Sequence, residues 1–116
     1  MSSDVERPPA DAAPDRPALP AELTSSGVVA IVRARSTGHV VAAVEAVVAA
    51  GITCVELTLT MPEALTSLAS LVSRTGSAAC IGAGTVLTAP QARACLDAGA
   101  KFLVAPSVVP DVVAAA

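Results

Sequence analysis

Two hydrophobic patterns alternate along the chain from Gly27 onward. Short apolar runs occupy residues 28–32, 54–59, 79–83 and 102–105, each closed by a polar or glycine turn. Between them, residues 38–50, 62–73 and 90–98 carry apolar side chains at helical spacing, as Val40, Val44, Val47 and Val48 do. Gly51, Gly76 and Gly99 follow these stretches, where a left-handed residue ends a helix. The pattern therefore predicts a strand, a turn, an Ala-rich helix and a glycine stop, recurring about every 22 to 26 residues. Thr60-Met-Pro-Glu63 and Thr88-Ala-Pro-Gln91 both have the form of a capping box with proline in the first turn.

Repeated strand–helix units with short connections imply parallel βα architecture, either an open doubly wound sheet or a (β/α)8 barrel. The second strand separates the two. Val55, Leu57 and Leu59 share one face, and Cys54, Glu56, Thr58 and Thr60 share the other. A central strand of an open sheet is apolar on both faces. A barrel strand packs its outer face on helices and turns polar inside near its C-terminal end, where barrel active sites lie. The chain thus reads as the first four βα units of a (β/α)8 barrel, a half barrel. Its last helix begins at PDVVAAA and is cut short, so truncation falls in or before helix 4.

Five of the nine prolines fall in the first 20 residues, among Asp, Arg and Ala. Residues 1–20 are expected to form a disordered extension, and residues 21–116 the folded part, with a helical turn at 21–25. The opening residues lack the basic start and apolar run of a signal peptide, and charges and glycines interrupt every apolar stretch. A cytoplasmic protein without membrane contact is expected. A net charge of −3 with seven scattered Lys and Arg, no Trp and no Tyr argues against nucleic acid as a partner. Cys54, Cys80 and Cys95 form neither a disulfide framework nor a metal motif and read as reduced core thiols.

Several polar residues close the predicted strands and would meet at one mouth: Arg33, Glu56, Thr60, Thr85 in GAGT, and Pro106 with Ser107. Arg33 also fits a surface strand end, Thr60 a helix cap and Thr85 a polar turn. Glu56 differs, because an inward carboxylate is costly to bury unless paired or used. It either pairs with Arg33 or serves proton transfer. Gly82-Ala-Gly84 is no dinucleotide fingerprint, since Leu87 stands where the third glycine belongs. His39 reads as solvated in the first turn of a helix. Lys101, the one lysine, precedes the fourth strand, at the end away from the mouth, and reads as a surface residue.

GVVAIVRARS, GITCVELTLTMPEAL and IGAGTVLTAPQARACLDAGAKFLVAPS together resemble the 2-keto-3-deoxy-6-phosphogluconate (KDPG) and 4-hydroxy-2-oxoglutarate (KHG) aldolases, from about residue 21 to the end. The resemblance implies a (β/α)8 TIM barrel of ~200 residues, a homotrimer when full length, and class I chemistry without metal or other cofactor. A lysine forms a Schiff base with a 2-oxo acid, and retro-aldol cleavage releases pyruvate and an aldehyde. By the same resemblance Glu56 shuttles protons, Thr85 holds the substrate carboxylate, Arg33 offsets substrate charge and Pro106 shapes the pocket wall. Thr60 stands where many members have arginine. The family's Schiff-base lysine lies on the sixth strand, which this chain does not contain, and Lys101 does not match it. The 116-residue chain is therefore expected to be inactive alone. The alternatives are an inactive truncated fragment or a half barrel needing a complementary chain. A phosphosugar epimerase or another phosphate-binding barrel fits the pairing of Glu56 with GAGT less well.

Overall fold

Three parallel strands form the centre of the molecule in a computed structural model that describes residues 18–116. They are β1 (Ala30–Val32), β2 (Cys54–Thr58) and β3 (Cys80–Gly84), in the order β1-β2-β3. Five α-helices accompany them: α1 (Ala21–Ser26), α2 (Thr37–Ala49), α3 (Ala64–Thr75), α4 (Ala89–Asp97) and α5 (Pro110–Ala115). A 3-10 turn at Gly76–Ala78 links α3 to β3. The extension expected over residues 1–20 lies outside the described residues, apart from residues 18–20.

The register pairs Ile31 with Glu56 and Glu56 with Gly82, so these three share one face of the sheet. Val55, Leu57, Ile81 and Ala83 lie on the opposite face, in the large core. There they meet Val40 and Val44 from α2, Leu68 and Leu71 from α3, and Ala92 and Cys95 from α4. This is the apolar stripe of each helix meeting the apolar alternation of each strand. The other face carries a smaller cluster of Cys54, Cys80 and Phe102, with Leu23 of α1 and Val29 packed against it. Hence α1 covers the N-terminal end of that face. All three cysteines are unpaired and buried. Burial first, then the neighbouring Cys54, pushes the Cys80 thiol up to about 11, so it stays protonated and inert.

Helix boundaries follow local chemistry. Ser36 caps α2 by accepting the His39 backbone N–H at 3.3 Å, and its hydroxyl lies 2.9 Å from His39 Nδ1. Thr88 caps α4 by accepting the Gln91 N–H at 3.2 Å. Gln91 Oε1 reaches back to the Leu87 N–H at 2.9 Å, one residue before the cap. Gly51 and Gly99 adopt positive φ of 106° and 103° just past α2 and α4.

Two expectations fail here. Thr60 does not cap α3. The helix starts at Ala64, and Glu63 precedes it in a left-handed conformation (φ 56°) without a side-chain cap. Thr60 bonds to Thr58 instead, Met61 is buried, and the Met61 sulfur accepts the Ala34 N–H at 3.1 Å. The chain must thus cross the strand end before it can coil. Glu63 accepts a hydrogen bond from Thr37 at 2.9 Å, which ties α3 to α2. The strand expected at 102–105 is reduced to one parallel bridge, Ala83 to Leu103. Backbone bonds from Lys101 N to Ile81 O, Val104 N to Ala83 O and Val86 N to Val104 O hold that segment beside β3. It has no partner among the described residues on its far side, and an edge segment paired on one side forms a weaker ladder.

Candidate active site

The polar residues on the inner face converge at the C-terminal ends of β2 and β3. Glu56 is 8% exposed in the middle of β2. Burial holds its carboxyl above the ordinary value of 4.5. Among the described residues the ion pair is Arg74 with Glu45, so Arg33 is not the partner of Glu56. The Glu56 side chain leans over Gly84, where a Cβ would collide with the carboxyl group. Lower on the same face, a Cβ at Gly82 would strike the Phe102 ring. The two glycines of GAG are therefore space for a carboxylate and a ring, not a nucleotide loop.

Two residues past Glu56, Thr58 is 2% exposed. Its hydroxyl lies 3.0 Å from Thr60 Oγ1 and 3.0 Å from Thr85 Oγ1, and the Thr60 N–H also points to it at 3.4 Å. Thr85 is half-buried, with a left-handed backbone (φ 59°) that is rare for a β-branched residue. Arg33, directly after β1, and Thr60 line one cleft of about 380 Å³ together with Arg35, Met61 and Pro62. The structure thus brings Thr60 and Thr85 together through Thr58, and Arg33 beside Thr60. Pro106 sits in an exposed bend after Leu103 and is not part of that cleft. Lys101 is exposed before the bridge at Leu103, on the side away from the three hydroxyls. Thr58 is the residue that sequence reasoning passed over. Its place on the Glu56 face was visible, but its contact with Thr85 was not.

The raised carboxyl has a consequence for stability. Glu56 keeps its proton to higher pH in the folded chain than in the unfolded one. Its contribution is therefore fully present below about 4.5 and is lost as pH rises through the folded value. Glu56→Gln, which mimics the protonated group, is expected to stabilise the chain at pH 7 by about 0.5–2 kcal/mol. The gap from wild type should close towards pH 4 in urea melts, and a constant gap would contradict the burial account.

Parallel βα units with a buried carboxyl and hydroxyls at the C-terminal strand ends are the arrangement found in part of a barrel-type α/β fold. The family model "Aldolase: KDPG and KHG aldolase" matches residues 19–116, and the chain belongs to that family. It is 33% identical over 86 residues to a probable 2-dehydro-3-deoxy-6-phosphogalactonate aldolase of Rhizobium meliloti (strain 1021), covering 74% of this chain and 41% of the relative. It is 34% identical over 90 residues to the 2-dehydro-3-deoxy-6-phosphogalactonate aldolase of Escherichia coli (strain K12), covering 78% and 44%. Among solved structures it resembles the KDPG aldolase of Legionella pneumophila, captured with pyruvate as a covalent carbinolamine. That match has a TM-score of 0.68 and 27% identity, over 75% of this chain and 42% of that one. The chain spans less than half the length of these relatives, and its three-stranded sheet is consistent with part of their barrel. No helix among the described residues is long and apolar enough to cross a membrane.

Proposed function

We propose that this chain carries the proton-transfer and carboxylate-binding portion of a class I aldolase. The substrate is a 2-oxo acid such as KDPG or 4-hydroxy-2-oxoglutarate, and the products are pyruvate and an aldehyde. The names of the two curated relatives add 2-dehydro-3-deoxy-6-phosphogalactonate to the candidates. The observation that carries the reading is the buried Glu56 carboxyl, lifted in pKa by burial, two residues before Thr58 and its row of hydroxyls on the same face. A carboxyl whose pKa is raised by burial parts less readily with its proton than a free one and can both return and accept one, as carbinolamine formation and C–C cleavage require. Thr85 donates to the substrate carboxylate, Arg33 offsets its charge from the neighbouring cleft, and Pro106 bounds the pocket. The Schiff-base lysine belongs to a later strand of the barrel, and the intact enzyme is a cytoplasmic homotrimer.

A second reading, a half barrel that needs a complementary chain, draws on one observation. Ile31 lies on the same face as Glu56 and is 69% exposed, so an apolar side chain there lacks a cover. A reductive trapping assay tests the catalytic assignment. Pyruvate with borohydride is expected to leave the 116-residue chain unlabelled by intact-mass measurement, because its one lysine is Lys101. A stable adduct at Lys101 would overturn the placement of the Schiff base elsewhere.

A further inference from the structure

Thr58 has one hydroxyl proton and two hydroxyl neighbours, Thr60 and Thr85, each at 3.0 Å. It can donate to only one of them, and the other must then donate to it. With both bonds made, at most one end of the row can present a donor outward. If Thr58 donates to Thr85, the Thr85 proton is free and Thr60 faces outward as an acceptor. If the row runs the other way, Thr60 becomes the donor and Thr85 the acceptor. The Thr60 N–H already points to Thr58 Oγ1 at 3.4 Å and occupies part of its acceptor capacity.

We propose that Thr58 is a positioning residue that couples the two ends of the row: an anion at Thr85 draws its proton outward and leaves Thr60 as an acceptor. This rests on the reading of Thr85 as the carboxylate contact. The ligand that satisfies both ends carries a carboxylate at Thr85 and a donor, such as a hydroxyl, at Thr60. Geometry supports the assignment in three ways. Thr58 is buried and has no outward role of its own. Thr85 holds a left-handed backbone (φ 59°), which persists only where its surroundings fix it. The Thr60 end opens on the cleft shared with Arg33 and Arg35, which gives that end of the ligand room.

The test uses the full 116-residue chain, labelled for NMR, with Thr58→Val, Thr58→Ser and Thr60→Val. Valine keeps the shape of threonine and loses the hydroxyl; serine does the reverse. Without ligand, three-bond couplings to the Thr85 methyl are expected to show one rotamer in wild type and Thr58→Ser, and averaging in Thr58→Val. A fixed Thr85 in Thr58→Val, or loosening only in Thr58→Ser, would overturn the proposal in favour of packing. On titration with pyruvate, Thr58→Val should bind about tenfold more weakly or worse, with Thr58→Ser within about twofold of wild type. Thr60→Val removes the terminal acceptor of the reversed row and should tighten pyruvate up to about twofold. Weaker binding in Thr60→Val would overturn the coupling, and this variant decides the matter should Thr58→Val fail to fold. If wild type binds no pyruvate while Thr85 still loosens in Thr58→Val, the carboxylate reading fails and the positioning role stands.

Discussion

Gly84→Ala is expected to drive the Glu56 carboxyl out of its site. Gly84 pairs with Thr58 across the sheet, two residues above the Gly82 partner of Glu56. The Glu56 side chain therefore leans along the strand direction to lie over Gly84. A Cβ at that position falls onto the carboxyl oxygen and carbon of Glu56. Neither the β3 backbone, paired on both sides, nor the buried β2 backbone can give way cheaply. The long side chain is the softer party and turns outward on the open inner face. Because burial is what raises the Glu56 carboxyl, its titration midpoint should fall back towards 4.5 in the variant. The overpacking itself should cost about 1–3 kcal/mol. Carboxyl ¹³C shifts followed through a pH titration check the first point and urea melts the second. A midpoint that stays raised in a folded Gly84→Ala chain would show that the glycine does not make room for the carboxyl.

The same pair of residues marks how far the sequence alone could be read. Alternation along residues 54–60 placed Glu56, Thr58 and Thr60 on one face, because strand periodicity is local and survives in any sheet. The Thr88–Gln91 cap was legible for a similar reason, since all its atoms lie within one turn. Thr60-Met-Pro-Glu63 matches the same local signature, yet tertiary contacts took its parts away. Thr58 holds the Thr60 hydroxyl, the core holds Met61, and Thr37 of α2 donates to Glu63. The helix begins only once those commitments are met. Thr58 and Thr85 are 27 positions apart, and their contact depends on strand register, which no local pattern encodes. The segment at 102–105 has strand composition but lacks a neighbour on its far side among the described residues, so only Leu103 forms a bridge.

Leu68→Ala should cost more than any other change considered, and a contrast with Ile31→Ala gives it meaning. Leu68 is fully buried on α3, in the cluster that joins α2, α3 and α4 to the outer face of the sheet. Its truncation leaves a cavity between a helix and strands already paired to neighbours, so little collapse can fill it. The expected loss is about 2–5 kcal/mol. Small domains have only about 5–15 kcal/mol in total. A three-stranded sheet with one face partly bare belongs at the low end of that range, so the variant should keep at most about 3 kcal/mol and unfold at much lower urea than wild type. Ile31 is as large an aliphatic side chain, but on the inner face it is 69% exposed. Ile31→Ala should then stay within about 0.5 kcal/mol of wild type in dilute solution. Urea melts monitored by circular dichroism separate the cases. Equal losses in the two variants would mean that the inner face is covered in solution. In melts of the purified chain the cover would then be a second copy lying against Glu56, and the melts would shift with protein concentration.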